Sequence, residues 1–160
     1  MSLRKNDSGR SIVEMLGVLA IMGVITVMGI SGYSQAVGKI NRNTVVEDVT
    51  RIVQEVRGLY AGKSNGYDTV PNSSDDSDDD VLVKIGFRKN GDTHPFGGVY
   101  YVSQGSEGVG YKTSFVVNIT GLEDSDCYYF ANYGWQGAVL DDDGNPKSTC
   151  TDGKVTIEFN

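Results

Sequence analysis

Residues 9–30 read GRSIVEMLGVLAIMGVITVMGI, and the fold follows from how this stretch is understood. From Ile12 to Ile30 it is an apolar run broken by a single charge, Glu14. As an α-helix the run spans about 28 Å at about 1.5 Å per residue. A bilayer's hydrocarbon core is about 30 Å thick. A cleaved secretory signal has an apolar region of about 7–15 residues followed by an A-x-A-like site. This run is longer, and the SGYSQAVGK that follows it has no such site. The stretch therefore reads as a membrane anchor. Glu14 has two readings. At the bilayer centre a carboxylate costs about 2.5–3.5 kcal/mol on insertion scales and calls for a partner. Near the cytoplasmic edge it costs little.

Charge on either side of the run sets its orientation. Arg4, Lys5 and Arg10 precede it against only Asp7, and the next cation is Lys39. Cationic flanks stay in the cytoplasm, so the N-terminus is expected inside and the remainder outside. The whole chain carries 14 basic against 21 acidic residues, a net charge of -7. A nucleic-acid binder shows a basic face, and none is evident overall. Cys127 and Cys150 are not a CxxC pair, and only one His accompanies them, which disfavours zinc. In an oxidising compartment they are expected to form a disulfide.

Beyond the apolar run the helix is expected to continue. Val45, Val49, Ile52, Val56 and Leu59 recur every three or four positions, with charged and polar residues between them. This is an amphipathic stripe. It suits packing on the chain's own sheet better than a coiled-coil seam, because it covers only about two heptads. Turn residues near Gly62 (GKSNGYD) end the helix. Residues 62–96 read as a loop with a short helix at about 80–86. From Gly98 the pattern turns to β. Residues 99–103 and 113–120 are expected as a hairpin across a Gly/Ser-rich link, and 155–159 as a terminal strand. Residues 126–133 read as a short helix carrying Cys127. Asp141-Asp142-Asp143-Gly144-Asn145 reads as a turn. The tyrosines and Trp135 are expected in the core or sheet, or otherwise at a contact surface.

The segment Gly9-Arg10-Ser11-Ile12-Val13-Glu14-Met15-Leu16 resembles the processing site of type IV prepilins. Four features coincide: a short basic leader, a Gly at its end, Glu fifth after the cut, and a long apolar helix. The order downstream is similar too, and Pro95-Phe96-Gly97-Gly98 before a Tyr/Val strand resembles the sheet entry of type IVb-like pilins. The resemblance implies a cut between Gly9 and Arg10, with Glu14 as the carboxylate that sets filament register. It implies an α+β fold in which a long N-terminal helix, membrane-spanning in its first half, packs on a C-terminal antiparallel β-sheet. The divisions expected are a leader at 1–9, a membrane and filament-core helix at 10–33 and an amphipathic half at 34–62. A variable loop at 63–97 and a sheet with a disulfide-closed region (Cys127, Cys150) at 98–160 follow. The implied partners are other copies of the chain, a prepilin peptidase, an assembly platform protein with its ATPase, and the membrane. The precursor would sit in a bacterial inner membrane and the product in a surface filament. A pseudopilin of a type II secretion or DNA-uptake system is an alternative, and a membrane-tethered module that never polymerises is another.

Enzyme signatures are missing from the sequence. His94 is the only His and precedes Pro95, which suits a loop. No GxSxG, GxxxxGK[ST] or HExxH pattern occurs. Asp76, Asp78 and Asp80 begin like a calcium loop, but Val81 stands where Gly is needed and Phe87 where Glu is needed. The acidic run is better read as a solvated loop before a helix N-terminus. No cofactor or metal is expected, with calcium at the acidic run as the less favoured alternative.

Overall fold

A computed structural model of the chain describes residues 8–71, 81–87, 93–106 and 112–160, with side chains from residue 12 onward. The elements run in the order α1 (Ser8–Tyr60), α2 (Val81–Lys84), β1 (Tyr100–Gln104), β2 (Phe115–Ile119), α3 (Asp124–Ala131), β3 (Ser148–Thr151) and β4 (Lys154–Phe159), with a 3-10 turn at Tyr67–Thr69. The chain divides into two units, Met1–Ile40 and Asn41–Asn160.

In the first unit, the large apolar side chains between Ile12 and Ile30 are 52–70 % exposed. α1 is unbroken across Gly17, Gly23, Gly29 and Gly32, and open space lies beside each of these glycines. By length and composition this is a helix able to cross a membrane. Thr26, the hydroxyl-bearing residue of the run from Ile12 to Ile30, donates to Met22 O at 2.8 Å, so that hydroxyl is satisfied within the helix.

In the second unit the amphipathic part of α1 packs on the sheet. Val45, Val49, Ile52 and Val56 are fully buried, as the stripe requires. Leu59 departs from it at 44 % exposed, and Tyr60 is buried in its place. The reason is helical pitch. A seam repeating every seven residues lags a straight 3.6-residue helix by about 20° per heptad. Two heptads beyond Val45, Leu59 has turned off the buried face and Tyr60 has turned onto it. α1 ends where expected, with Ala61 N donating to Arg57 O before the turn begins.

The sheet is antiparallel throughout, in the order β1-β2-β4-β3. Alternation assigns its faces. Tyr100, Val102, Phe115, Val117, Ile119, Val155, Ile157 and Phe159 are buried together with the α1 stripe in one core. Two backbone features are needed to bring this about. Gly98 lies so close to Thr120 that a Cβ there would come within 1.8 Å of its carbonyl oxygen. Asp152 and Gly153, with φ of 52° and 70°, form the positive-φ pair that a two-residue type I′ hairpin requires, and they join β3 to β4.

β3 was not anticipated from the sequence, so Cys150 lies in a strand rather than in a plain segment. The 3-10 turn was not anticipated either. It buries Tyr67 against Phe115, with ring centroids 4.9 Å apart. α3 begins two residues earlier than the pattern suggested, with Asp124 and Asp126 in its first turn, where acids suit the helix dipole. α2 falls inside the expected short helix and buries Val81 and Leu82. At Asp141 the expected turn is present: its Oδ1 accepts from Asp143 N and Asn145 N, and Gly144 has φ of 82°. The run Asp75–Asp80, with Asp76, Asp78 and Asp80, lies outside the described residues. So does most of the leader.

Candidate functional site

The backbone of Gly9 and Arg10 belongs to the first turn of α1. The Arg10 side chain lies outside what the structure describes. Glu14 follows one turn later on the same helix. With Met15, Val18 and Leu19 it lines a shallow concavity of about 290 Å³ on the first unit. These positions share one helix face, so the carboxylate lies among apolar neighbours at the start of the membrane-length stretch.

In the second unit the disulfide joins Cys127 of α3 to Cys150 of β3, with Cα atoms 5.7 Å apart and a sequence separation of 23. Cys127 is fully buried. One residue before it, Asp126 Oδ1 accepts from Arg42 Nε at 2.7 Å. The Arg42 guanidinium also lies 4.6 Å from the centre of the Tyr129 ring. α3 is therefore held from two sides, by α1 through an ion pair and by β3 through a covalent bond. Phe130 fills the space beneath, and Trp135 Nε1 donates to Phe130 O at 2.8 Å. Tyr128, on the outer side, is 62 % exposed. The aromatic residues thus divide: Tyr60, Tyr67, Tyr100 and Trp135 are in the core, while Tyr33, Tyr128 and Tyr129 face outward.

His94 has a structural task. Its Nδ1 accepts from Phe96 N at 3.2 Å, so the proton is on Nε2, which donates to Thr120 O at 2.8 Å. Burial pushes its pKa below the usual imidazole range, although the Thr120 contact and Asp48 act the other way. The neutral ring closes the turn that leads into β1.

Two further polar arrangements were not singled out in the sequence. Tyr100 donates its hydroxyl to Asp48 Oδ2 at 2.9 Å. Burial raises the Asp48 carboxyl while this hydrogen bond lowers it, and the balance lies above the usual value. Burial, with Asp48 beside it, also raises the Tyr100 phenol. On the other face of the sheet Glu158 is buried. It accepts from Ser106 N and Ser114 Oγ, each at 2.6 Å, and pairs with Lys147 Nζ at 2.9 Å. Burial alone would raise its carboxyl. The hydrogen bonds from Lys147, Ser114 and Ser106 instead hold it down at about 2. The sequence hid Glu158 because VTIEF alternates, which marks position 158 as outward but does not tell that Ser106, Ser114 and Lys147 cover it. Among the described residues no three His, Cys, Asp or Glu side chains converge as a metal site would require.

No family model, no curated protein and no solved structure matches this chain.

Proposed function

We propose that the chain is the precursor of a type IV pilin-like subunit, cut after Gly9 and polymerised through its N-terminal helix. The observation that carries this reading is the position of Glu14. It is the one acid of the apolar run, fifth from Arg10, and it stands at the head of a helix long enough to cross a membrane. The sheet-packed second part of that helix and the disulfide are compatible with such a subunit.

The physical case runs from charge to register. When helices leave lipid to pack against one another, a carboxylate taken into the apolar core without a cation is strongly disfavoured. Cleavage after Gly9 would create an ammonium group at Arg10. Paired with Glu14 of the next subunit, it would satisfy both charges at one axial offset only. The Arg10 guanidinium would add a second cation able to hold a carboxylate through two hydrogen bonds. The peptidase, the platform protein and the ATPase would be supplied by other genes. The product would act as a surface filament.

Mass spectrometry of the protein extracted from membranes tests the first step. A mature chain beginning at Arg10 is expected, and an intact Met1 leader would overturn the reading. Glu14→Gln tests the second. It should leave an inserted, folded subunit whose filament yield falls by at least about tenfold, the effect of losing one charge-assisted pair. Filaments at normal yield would remove Glu14 from assembly.

A further inference from the structure

A cleft of about 550 Å³ opens in the second unit between α1 and the segment leading into β1. Such a volume lies within the range of small-molecule sites, which combine apolar walls with a few polar groups. Phe87, Pro95 and Tyr100 supply apolar walls. His94 is a wall rather than a donor, since both of its nitrogens are already engaged. Asp48 and Arg51 from α1 supply opposite charges.

These two charges are left available in a specific way. Asp48 uses Oδ2 for Tyr100, and its other oxygen has no hydrogen bond or ion pair among the described residues. Arg51 approaches the Phe87 ring, with its guanidinium 5.8 Å from the ring centre, and makes no hydrogen bond or ion pair among the described residues. Positions i and i+3 on a helix are neighbours, with Cβ atoms about 5–6 Å apart. Arg51 attracts the Asp48 carboxylate only weakly, as the last of the causes acting on it, and the two form no hydrogen bond or close ion pair. A molecule with an ammonium and a carboxylate on the same carbon atom would bridge them and place its remaining bulk against the aromatic walls. Among the described residues lining the cleft, inorganic phosphate would find a cation only in Arg51, and a simple amine an anion only in Asp48.

We propose that this cleft binds a free α-amino acid with an apolar side chain, its ammonium on Asp48, its carboxylate on Arg51 and its side chain against Phe87, Pro95 and Tyr100. Partial burial of Asp48 supports the assignment. Burial leaves the carboxylate short of solvation, the first cause of its raised pKa, and a bound ammonium would restore the missing interaction. The site lies wholly in the second unit. It does not depend on the filament reading, and either can fail without the other.

The test is equilibrium dialysis of labelled L-leucine and L-phenylalanine against the full chain in detergent micelles. Saturable uptake is expected. N-acetyl-L-leucine, which lacks the ammonium, and L-leucinamide, which lacks the carboxylate, should each bind at least about tenfold more weakly, the effect of losing one charge-assisted hydrogen bond. Asp48→Asn and Arg51→Gln should show the same loss with unfolding midpoints retained. Gln54→Ala, whose residue does not line this cleft, should bind as the parent does. If a charge variant fails to fold, the two blocked ligands still decide the matter on the parent protein. Absence of uptake up to millimolar leucine and phenylalanine would overturn the proposal. So would equal binding of either blocked analogue, which would mean that only one charge is read.

Discussion

Glu158 gives the sharpest test of the structure, because its contribution must vary with pH in a defined window. The group is a buried carboxylate held by Lys147, Ser114 and Ser106, with a pKa lowered from 4.5 to about 2. A folded-state pKa below the unfolded one means that the ionised form is favoured by folding. The stabilisation is fully present above about 4.5 and is lost as pH falls through about 2. A shift of that size corresponds to at most ~3.4 kcal/mol. The Lys147 side chain is 42 % exposed, so solvent screening reduces the figure to about 1–2 kcal/mol. The perturbation is Glu158→Gln, which keeps the shape and removes the charge. The assay is urea unfolding of the full chain in detergent, followed by Trp135 fluorescence, for parent and variant between pH 6 and pH 2. At pH 6 the variant should be less stable by about 1–2 kcal/mol. The two curves should converge as pH approaches 2, where the parent's own carboxyl becomes protonated. Comparison with the variant cancels the titration of the other acids. A difference that stays constant from pH 6 to pH 2, or that never appears, would refute the assignment of a charged, hydrogen-bonded Glu158.

Two other predictions follow from burial and from the covalent link. Ile52→Ala should cost about 2–5 kcal/mol in the same unfolding assay, the usual loss for a fully buried aliphatic side chain. Leu59→Ala should cost under about 1 kcal/mol, because the side chain is 44 % exposed; equal costs would mean that the sheet-facing side of α1 is wrongly assigned. Reducing Cys127–Cys150 should lower stability by roughly 3–3.5 kcal/mol in the chain-entropy model for a separation of 23 residues. An unfolding midpoint unmoved by reductant would show that the link does not constrain the unfolded chain.

Much of this architecture is legible because it rests on local periodicity. A membrane-length apolar run, a stripe at helical spacing and alternating β segments each declare themselves within about twenty residues, and the two cysteines admit only one intramolecular pairing. β3 was missed because STCT has no apolar alternation of its own. Its signal is the Asp152-Gly153 pair, a hairpin mark that depends on β4 lying beside it. Leu59 was misplaced because a 4-3-4-3 spacing imitates a straight seam, whereas a real helix rotates away from it. The polar sites were the least legible. Asp48 and Arg51 look like any solvated pair on an amphipathic helix until Phe87, His94 and Tyr100 are folded against them.

By itself the sequence determined the order of the elements, which residues are apolar enough for core or membrane, and the position of Glu14 at the head of its helix. These depend on side chains close together in the chain. Only the tertiary structure decided which polar groups are buried and what they meet: Arg42 with Asp126, Tyr100 with Asp48, and Lys147, Ser106 and Ser114 with Glu158. The physical reason is that a charged group's energy is set by its solvation and its nearest partner. Both come from segments far away in sequence, and no local pattern records them.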